Sequence, residues 1–517
     1  IGSTLGIVGG LILGQAAVSA KIVSPIMIII IAITGIGSFA TSDYSLSWGY
    51  RILRLAFIAL AAVMGFYGIA IGIFIYSLYV AKQTSFGVPY LSPIPKVNNR
   101  SMTNSIFENP IWKKEHRPDF LKTKKNTEEP KISRNWNKKE YTINVSRETL
   151  EGVVMIDRKK MTTLLINVIS VKMLLTFPKI MIINSGNAAW IECIYNTLIV
   201  IGLFWITTKL YRSNKNIIQL AEMTGKKWLK IIVGVVAFVV LLINYSSIIR
   251  IFPETVKIVL LQDFKIEFII PIFMLAIGIG AYIGLEPIAR VNNMFMPLAG
   301  IVLLLSLILL IPYFNINNIF PILGIGVYSI TVKGINTISL FSDILLLNIL
   351  LPYCENTSEA KKSGWRAIYI SATIGVVILL SYCLIYPYPV SREFMIPVYQ
   401  LSRVIHLGNF FSRFEVIFQF VWSILVLIYS SIYVYALCYV WQITFDLKYY
   451  KPLILPVVII SGIVAVLPSS VVDLVKSERL ENIIVYPVAF LLPILFGFYS
   501  KKIYNKRTVN EESGESE

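Results

Sequence analysis

Between Met161 and Ser500 the chain repeats one pattern: an apolar run long enough to span a bilayer, then a short charged turn. Hydrocarbon about 30 Å thick is crossed by about 20 helical residues at 1.5 Å each. No backbone polar group can stay unpaired inside it, so runs of this kind are restricted to helices. Composition agrees. Of 517 residues, 56% are hydrophobic and only 15% charged, with a mean hydropathy of +0.71. Soluble domains hold about 45–50% apolar and about 25% charged residues. The chain reads as an all-α polytopic membrane protein, with the lipid bilayer as its first partner.

The net charge is +18, from 47 Lys and Arg against 29 Asp and Glu. In a soluble chain that would point to nucleic acid. Here the basic residues sit mostly between apolar runs, where positive charge retains loops on the cytoplasmic side. No nucleic-acid partner is expected. The two histidines, His116 and His406, lie far apart, and Cys193, Cys354, Cys383 and Cys438 show no metal-ligand spacing, so the cysteines read as packing residues. No phosphate-binding glycine loop and no HExxH motif occurs. The expectation is a protein that is not an enzyme, with no cofactor and no metal. The chain opens at Ile1 within an apolar stretch, and more sequence is expected upstream.

Four zones follow from composition. Residues 1–85 carry about three spans and a glycine-rich first one, with Gly2, Gly6, Gly9, Gly10 and Gly14 making a small-residue face for intrachain packing or subunit assembly. Residues 86–158 are a basic, Pro/Asn-rich linker without sustained period, expected in the cytoplasm against anionic lipid. Residues 159–503 contain ten candidate spans, at 161–184, 188–208, 228–250, 267–287, 294–313, 326–352, 366–386, 411–443, 452–470 and 483–500. Residues 504–517 are a polar tail. Lysines and arginines concentrate at Lys209–Lys230, Glu286–Asn293, Pro352–Arg366, Phe445–Lys451 and after Ser500, which places both ends of the ten-span zone inside.

Two resemblances are carried by particular residues. Gly2-Ser3-Thr4-Leu5-Gly6-Ile7-Val8-Gly9-Gly10, Gly14-Gln15-Ala16-Ala17, Ser85-Phe86-Gly87-Val88-Pro89-Tyr90-Leu91-Ser92-Pro93, Ile111-Trp112-Lys113 and Arg117-Pro118-Asp119-Phe120-Leu121 resemble the C-terminal membrane part of the A subunit of spore germinant receptors. Ser42 departs from that pattern, standing where a proline is usual. From about Thr142 onward the chain resembles the B subunit of the same receptors, a branch of the amino acid–polyamine–organocation transporter superfamily. The residues are Leu174-Leu175-Thr176-Phe177-Pro178 with Trp190, then Arg250 with Glu254-Thr255-Val256-Lys257 and Leu260-Leu261, then Arg413-Phe414-Glu415 with Trp422. This resemblance implies a ten-helix transporter-like bundle of 5+5 inverted repeats with broken helices 1 and 6. It also implies a small-molecule germinant, such as an amino acid, other receptor subunits as partners, and the spore inner membrane as location.

Broken helices expose backbone donors and acceptors near mid-membrane, where ligands bind. In span 1, Pro178 cannot donate a backbone hydrogen bond and Thr176 is placed to satisfy the freed carbonyl. A plain proline kink is the competing reading. Lys172 lies deep in the same span, at about 2.5–3.5 kcal/mol on insertion scales. It is read as a ligand partner, a substitute for a coupling cation, or the mate of Asp343, against simple snorkelling. In span 6, Asn336, Thr337 and Ser339 supply short polar side chains within Gly334–Asp343, and Phe341-Ser342-Asp343 resembles the family's Phe-Gly-Glu. Asn244 and Tyr245 of span 3 are expected in the pocket wall. Arg413, Glu415 and Trp422 are read as architectural, like Pro178, and Tyr429, Tyr433 and Tyr435 as packing. Two functions stay open: a germinant receptor subunit, or an amino acid or amine permease working by alternating access.

Overall fold

The computed structural model describes residues 2–39, 44–86, 88–91, 155–175, 177–406, 413–468 and 485–502. The chain is an all-α polytopic membrane protein. Among the described residues eight helices are long and apolar enough to cross a membrane, and Val8–Ser19, Pro25–Gly37 and Lys451–Val466 are shorter apolar helices. Two compact units divide it, Ile1–Gly72 and Ile73–Glu517. The division falls inside a helix rather than at residue 85, where composition changes.

The first unit holds α1 (Gly2–Ser19), α2 (Pro25–Phe39) and most of α3 (Tyr44–Lys82). A β-carbon on Gly14 would stand 3.3 Å from Ile28 Cδ1, so α1 and α2 pack there, whereas Gly9 and Gly10 face open space. Helical geometry in α3 breaks at Met64 and Gly65, the latter at φ 54°, a conformation that favours glycine. After α3 a small hairpin pairs β1 (Thr84–Ser85) with β2 (Val88–Pro89). The expected linker lies almost wholly outside the described residues, as does the tail.

In the second unit, helical segments occupy all ten expected positions. They are α4 (Arg158–Leu175) with α5 (Phe177–Ser185), α6 (Ala189–Leu210), then a short α7 (Ile217–Glu222), α8 (Lys227–Val259), α9 (Ile266–Ile283) and α10 (Leu285–Leu310). The sixth span is not one helix. It winds as a π turn (Ser329–Lys333), a 3₁₀ stretch (Gly334–Ile344) and α11 (Leu345–Ile349). Next come α12 (Thr357–Ile385), a short α13 (Pro397–Val404), α14 (Phe414–Thr444), α15 (Ile454–Val466) and a helix over 485–502. The most apolar stretch of α14 is 94% buried, which makes it the central post of the bundle. It packs on α8, α9 and α10.

Several boundaries differ from the sequence reading, each for a local reason. Glu286–Asn293, expected as a loop, forms the first turns of α10, because Gly284 at φ 111° reverses the chain immediately after α9. Glu286 then pairs with Arg290 one turn on, which neutralises both. Likewise α12 starts at Thr357. The Asn356 side chain caps it by accepting from Glu359 N at 2.8 Å, and Glu359 bridges Arg158 and Lys362 at 2.8 and 2.9 Å. Helix α8 runs nine residues beyond Arg250, through Pro253, with Arg250 and Glu254 paired at 3.2 Å.

Arg290 has a second task. Its Nη1 donates to Ala81 O at 2.8 Å, capping the C-terminal end of α3, where cations complement the helix dipole. A charged hydrogen bond of this kind contributes about 1.5–3 kcal/mol. Arg290→Gln is therefore expected to speed amide exchange over residues 78–82 by about tenfold or more, and exchange as slow as in the parent chain would show the cap to be idle.

Candidate functional site

Four elements bring polar side chains together inside the apolar bundle. Lys172, in the last turn of α4, is 2% exposed, and Asp343 in the 3₁₀ stretch is 0% exposed. The Lys172 ammonium donates to Ser339 O and Ser342 Oγ at 3.0 Å each, and to Asn244 Oδ1 of α8. It lies 3.9 Å from Asp343 Oδ1 and 5.4 Å from the centre of the Phe177 ring. Asp343 Oδ1 also accepts from Asn244 Nδ2 at 2.6 Å and from the Tyr433 hydroxyl of α14. Tyr433 in turn accepts from Asn244 Nδ2 at 3.0 Å, and its ring stacks on Tyr245 at 5.5 Å.

The local winding explains why the lysine finds so many acceptors. In a 3₁₀ helix, residues three apart eclipse one another. Ser339 and Ser342 therefore present a carbonyl and a hydroxyl on one line toward α4. Ser342 Oγ also donates back to Ser339 O at 2.6 Å. Lysine and aspartate satisfy each other and their neighbours, except that Asp343 Oδ2 is buried with no hydrogen-bond partner. A buried carboxylate oxygen without a donor is a costly vacancy in the hydrogen-bonding.

Of the residues expected at the site, Lys172, Asn244, Ser339 and Asp343 meet in this cluster, and Tyr245 supports it by stacking. Thr176 lies outside the described residues; α4 ends at Leu175 and α5 begins at Phe177. Asn336 is half-buried, and its carbonyl accepts from Ser339 Oγ at 3.0 Å without entering the cluster. Thr337 turns the other way, donating to Glu192 Oε1 of α6 at 2.7 Å. Pro178 is buried in the first turn of α5. Arg413 precedes α14 and pairs with Glu415 at 3.1 Å.

Trp422 stacks on Phe418 and, with Ile166, Leu174, Gly300 and Ile374, lines an almost wholly apolar cavity of about 230 Å³. That lining carries one hydroxyl, Ser170, and no charged side chain, so the polar cluster, not the cavity, is the candidate site.

Sequence reasoning missed two participants. Tyr433, read as packing, completes the shell of Asp343. Glu192, 0% exposed, anchors a second polar group with Ser185, Asn184, Asn196 and Thr337. An acidic residue within Ile191-Glu192-Cys193-Ile194, followed one turn later by Asn196, was signal enough. Tyr433 carried no such signal amid the aromatics of α14.

Known proteins divide their similarity between the two parts of the chain. Residues 1–120 match the family model for the Bacillus/Clostridium GerA spore germination protein. Spore germination protein KA of Bacillus subtilis (strain 168) is 44% identical over 121 residues, covering 23% of this chain and 22% of that protein. Spore germination protein GerLA of Bacillus cereus is 38% identical over 131 residues, covering 25% and 27%. The chain thus spans about a quarter of the length of these curated relatives. Among solved structures, Mhp1, a nucleobase-cation-symport-1 family transporter in a closed conformation with bromovinylhydantoin bound, superposes with a TM-score of 0.47 at 12% identity, covering 66% of this chain and 78% of that one. The region that holds the polar cluster, residues 155–473, matches the spore permease family model, described as spore germination protein, and over more than half its length the chain therefore belongs to that family.

Proposed function

We propose that this chain is a membrane subunit of a spore nutrient receptor that binds an amino acid, or a similar small zwitterion, between α4 and the 3₁₀ stretch and signals to partner subunits. The observation that carries the reading is the buried Lys172–Asp343 pair with one carboxylate oxygen left unpartnered. A zwitterion brings the two charges that this pair lacks elsewhere. Its carboxylate would take the Lys172 ammonium, and its ammonium would take Asp343, filling the vacancy at Oδ2. The internal pair opens as two new pairs form, so no charge is ever left bare in the hydrocarbon. Opening it separates α4 from the sixth span, and a ligand shifts a conformational equilibrium by just this kind of differential contact.

The A-type similarity of residues 1–120 supports a receptor over a free-standing permease, since a permease alone has no evident use for that segment. The reading places the chain in the spore inner membrane, with linker and C-terminus cytoplasmic as the basic loops dictate, and with the bundle built as 5+5 inverted repeats.

Titration of the purified chain with amino acids tests the proposal. Saturable binding is expected for at least one of them, with N-acetylated and carboxamide analogues at least tenfold weaker. Equal binding of the blocked analogues would refute the two-charge exchange. Uptake of the same ligand into proteoliposomes without partner subunits would instead establish the permease.

A further inference from the structure

The second polar group has a feature the first lacks: among the described residues, its carboxylate has no cation. Glu192 Oε2 accepts from the Ser185 hydroxyl, and Oε1 from Asn184 Nδ2 at 3.4 Å and Thr337 Oγ1 at 2.7 Å. Thr337 Oγ1 also lies 2.6 Å from Gly334 O and accepts from Asn196 Nδ2 at 2.6 Å; Asn196 Nδ2 donates to Gly334 O at 3.1 Å as well.

Every hydrogen bond to this carboxyl group comes from a neutral donor. Thr337 has one hydroxyl hydrogen; Gly334 O already accepts from Asn196 Nδ2, so the Thr337 hydrogen serves Glu192 Oε1. Glu192 is 0% exposed, and a charge there would stay uncompensated in the apolar interior. One bound proton removes that charge. A metal ion does not fit between oxygens at hydrogen-bond separation.

Nothing else supplies the positive charge. Among the described residues no basic group lies within ion-pair distance of Glu192. On α5, the Lys179 ammonium is held by the carbonyls of Arg392 and Phe394. On the sixth span, Lys333 is exposed. On α12, the Tyr382 hydroxyl donates to Ser391 O, and Cys383 is a buried free thiol, as is Cys193 beside Glu192 itself. Glu192 stands in the first turn of α6, where the helix end offers a partial positive charge. No backbone amide of that turn is bonded to it, since all its donors are side chains.

We infer that Glu192 is a proton-binding site that fastens the sixth span to α5 and α6. With the proton bound, Thr337 is held against α6 by the neutral Glu192 carboxyl group and Gly334 by Asn196. With the proton gone, an uncompensated charge stands in the membrane interior, and water must enter or the span must move away. The packing is close: a β-carbon on Gly334 would stand 2.9 Å from Glu192 Cγ, so this part of the span cannot slide while the clasp is shut. The site stands at the opposite end of the 3₁₀ stretch from Asp343, and its existence does not depend on the nutrient reading.

Infrared spectroscopy of the purified full chain reads the proton directly. The carbonyl stretch of a protonated carboxyl group, shifting in D₂O, is expected at neutral pH in the parent protein, unchanged in Asp343→Asn and missing in Glu192→Gln. A parent spectrum without the band, or a band that survives Glu192→Gln, overturns the inference; loss of the band in Asp343→Asn instead moves the proton to the other cluster and overturns it equally. Thermal melting supplies the second measurement, since Glu192→Gln keeps the shape and the donor. A proton held by the folded state and released on unfolding stabilises fully at low pH and less as pH rises. The parent melting temperature is expected to fall with rising pH more steeply than that of Glu192→Gln, and parallel curves would count against the site.

Discussion

Lys172→Met is expected to abolish the nutrient response and to deplete the folded protein, whereas Lys172→Met combined with Asp343→Asn is expected to restore the protein but not the response. The expectation follows from asymmetry in buried ion pairs. Deleting one member leaves an uncompensated charge and costs about 3–5 kcal/mol, while replacing both by neutral groups is often close to neutral. Asp343 would then keep only the Asn244 and Tyr433 hydrogen bonds, and Ser339 O and Ser342 Oγ would lose their donor. Folded protein is measured by size-exclusion recovery, and the response by spores carrying each variant with the partner subunits. A double variant that still responds to nutrient would separate the pair from ligand sensing. A single variant as stable as the parent would show that the pair is already neutral without its lysine.

Gly234→Ala should be nearly as damaging, though it removes no charge. A β-carbon there would be 2.5 Å from Thr444 Cγ2 and closer still to Thr444 Oγ1, where α8 meets the central post α14. Thr444 is buried, and its hydroxyl is committed to Val440 O at 2.7 Å, so it cannot simply turn aside. In membranes, such close approach substitutes for the hydrophobic effect as the source of helix–helix attraction. Overpacking of this kind costs about 1–3 kcal/mol, and a fall of several degrees in melting temperature is expected. Thr444→Ala should recover part of the loss in the Gly234→Ala background. No recovery would place the strain elsewhere.

The contrast between these positions shows what was legible before any coordinates. Lys172 and Asp343 declared themselves because charge inside an apolar run demands compensation, and each compensates the other. The same rule applied to Glu192 would have found the second polar group. Thr337 joins Glu192 rather than Asp343 for a reason of pitch: six residues at about 2.0 Å rise set it roughly 12 Å from Asp343, farther than an α-helix would. That winding is set by packing against α4, α5 and α6, which no single stretch of sequence encodes. Tyr433 and Gly234 were illegible in a different way. Both depend on which helix lies opposite, and an aromatic or a glycine in a lipid-spanning run looks the same wherever it faces. The early starts of α10 and α12 hid behind their charges, which resemble loop residues until Glu286 and Arg290, or Glu359 and Lys362, are seen to pair along one helix face.

The mixed winding of the sixth span has a mechanical corollary. Eleven residues, Gly334–Ile344, are drawn out at the tighter, longer 3₁₀ pitch, which rises about 2.0 Å per residue against 1.5 Å for the α form. Relaxation of this stretch to ordinary α pitch would shorten it by about 5 Å, close to one full α turn, while rotating its two ends against each other. A change of winding in this one segment would therefore move its ends by that length without unfolding any neighbouring helix.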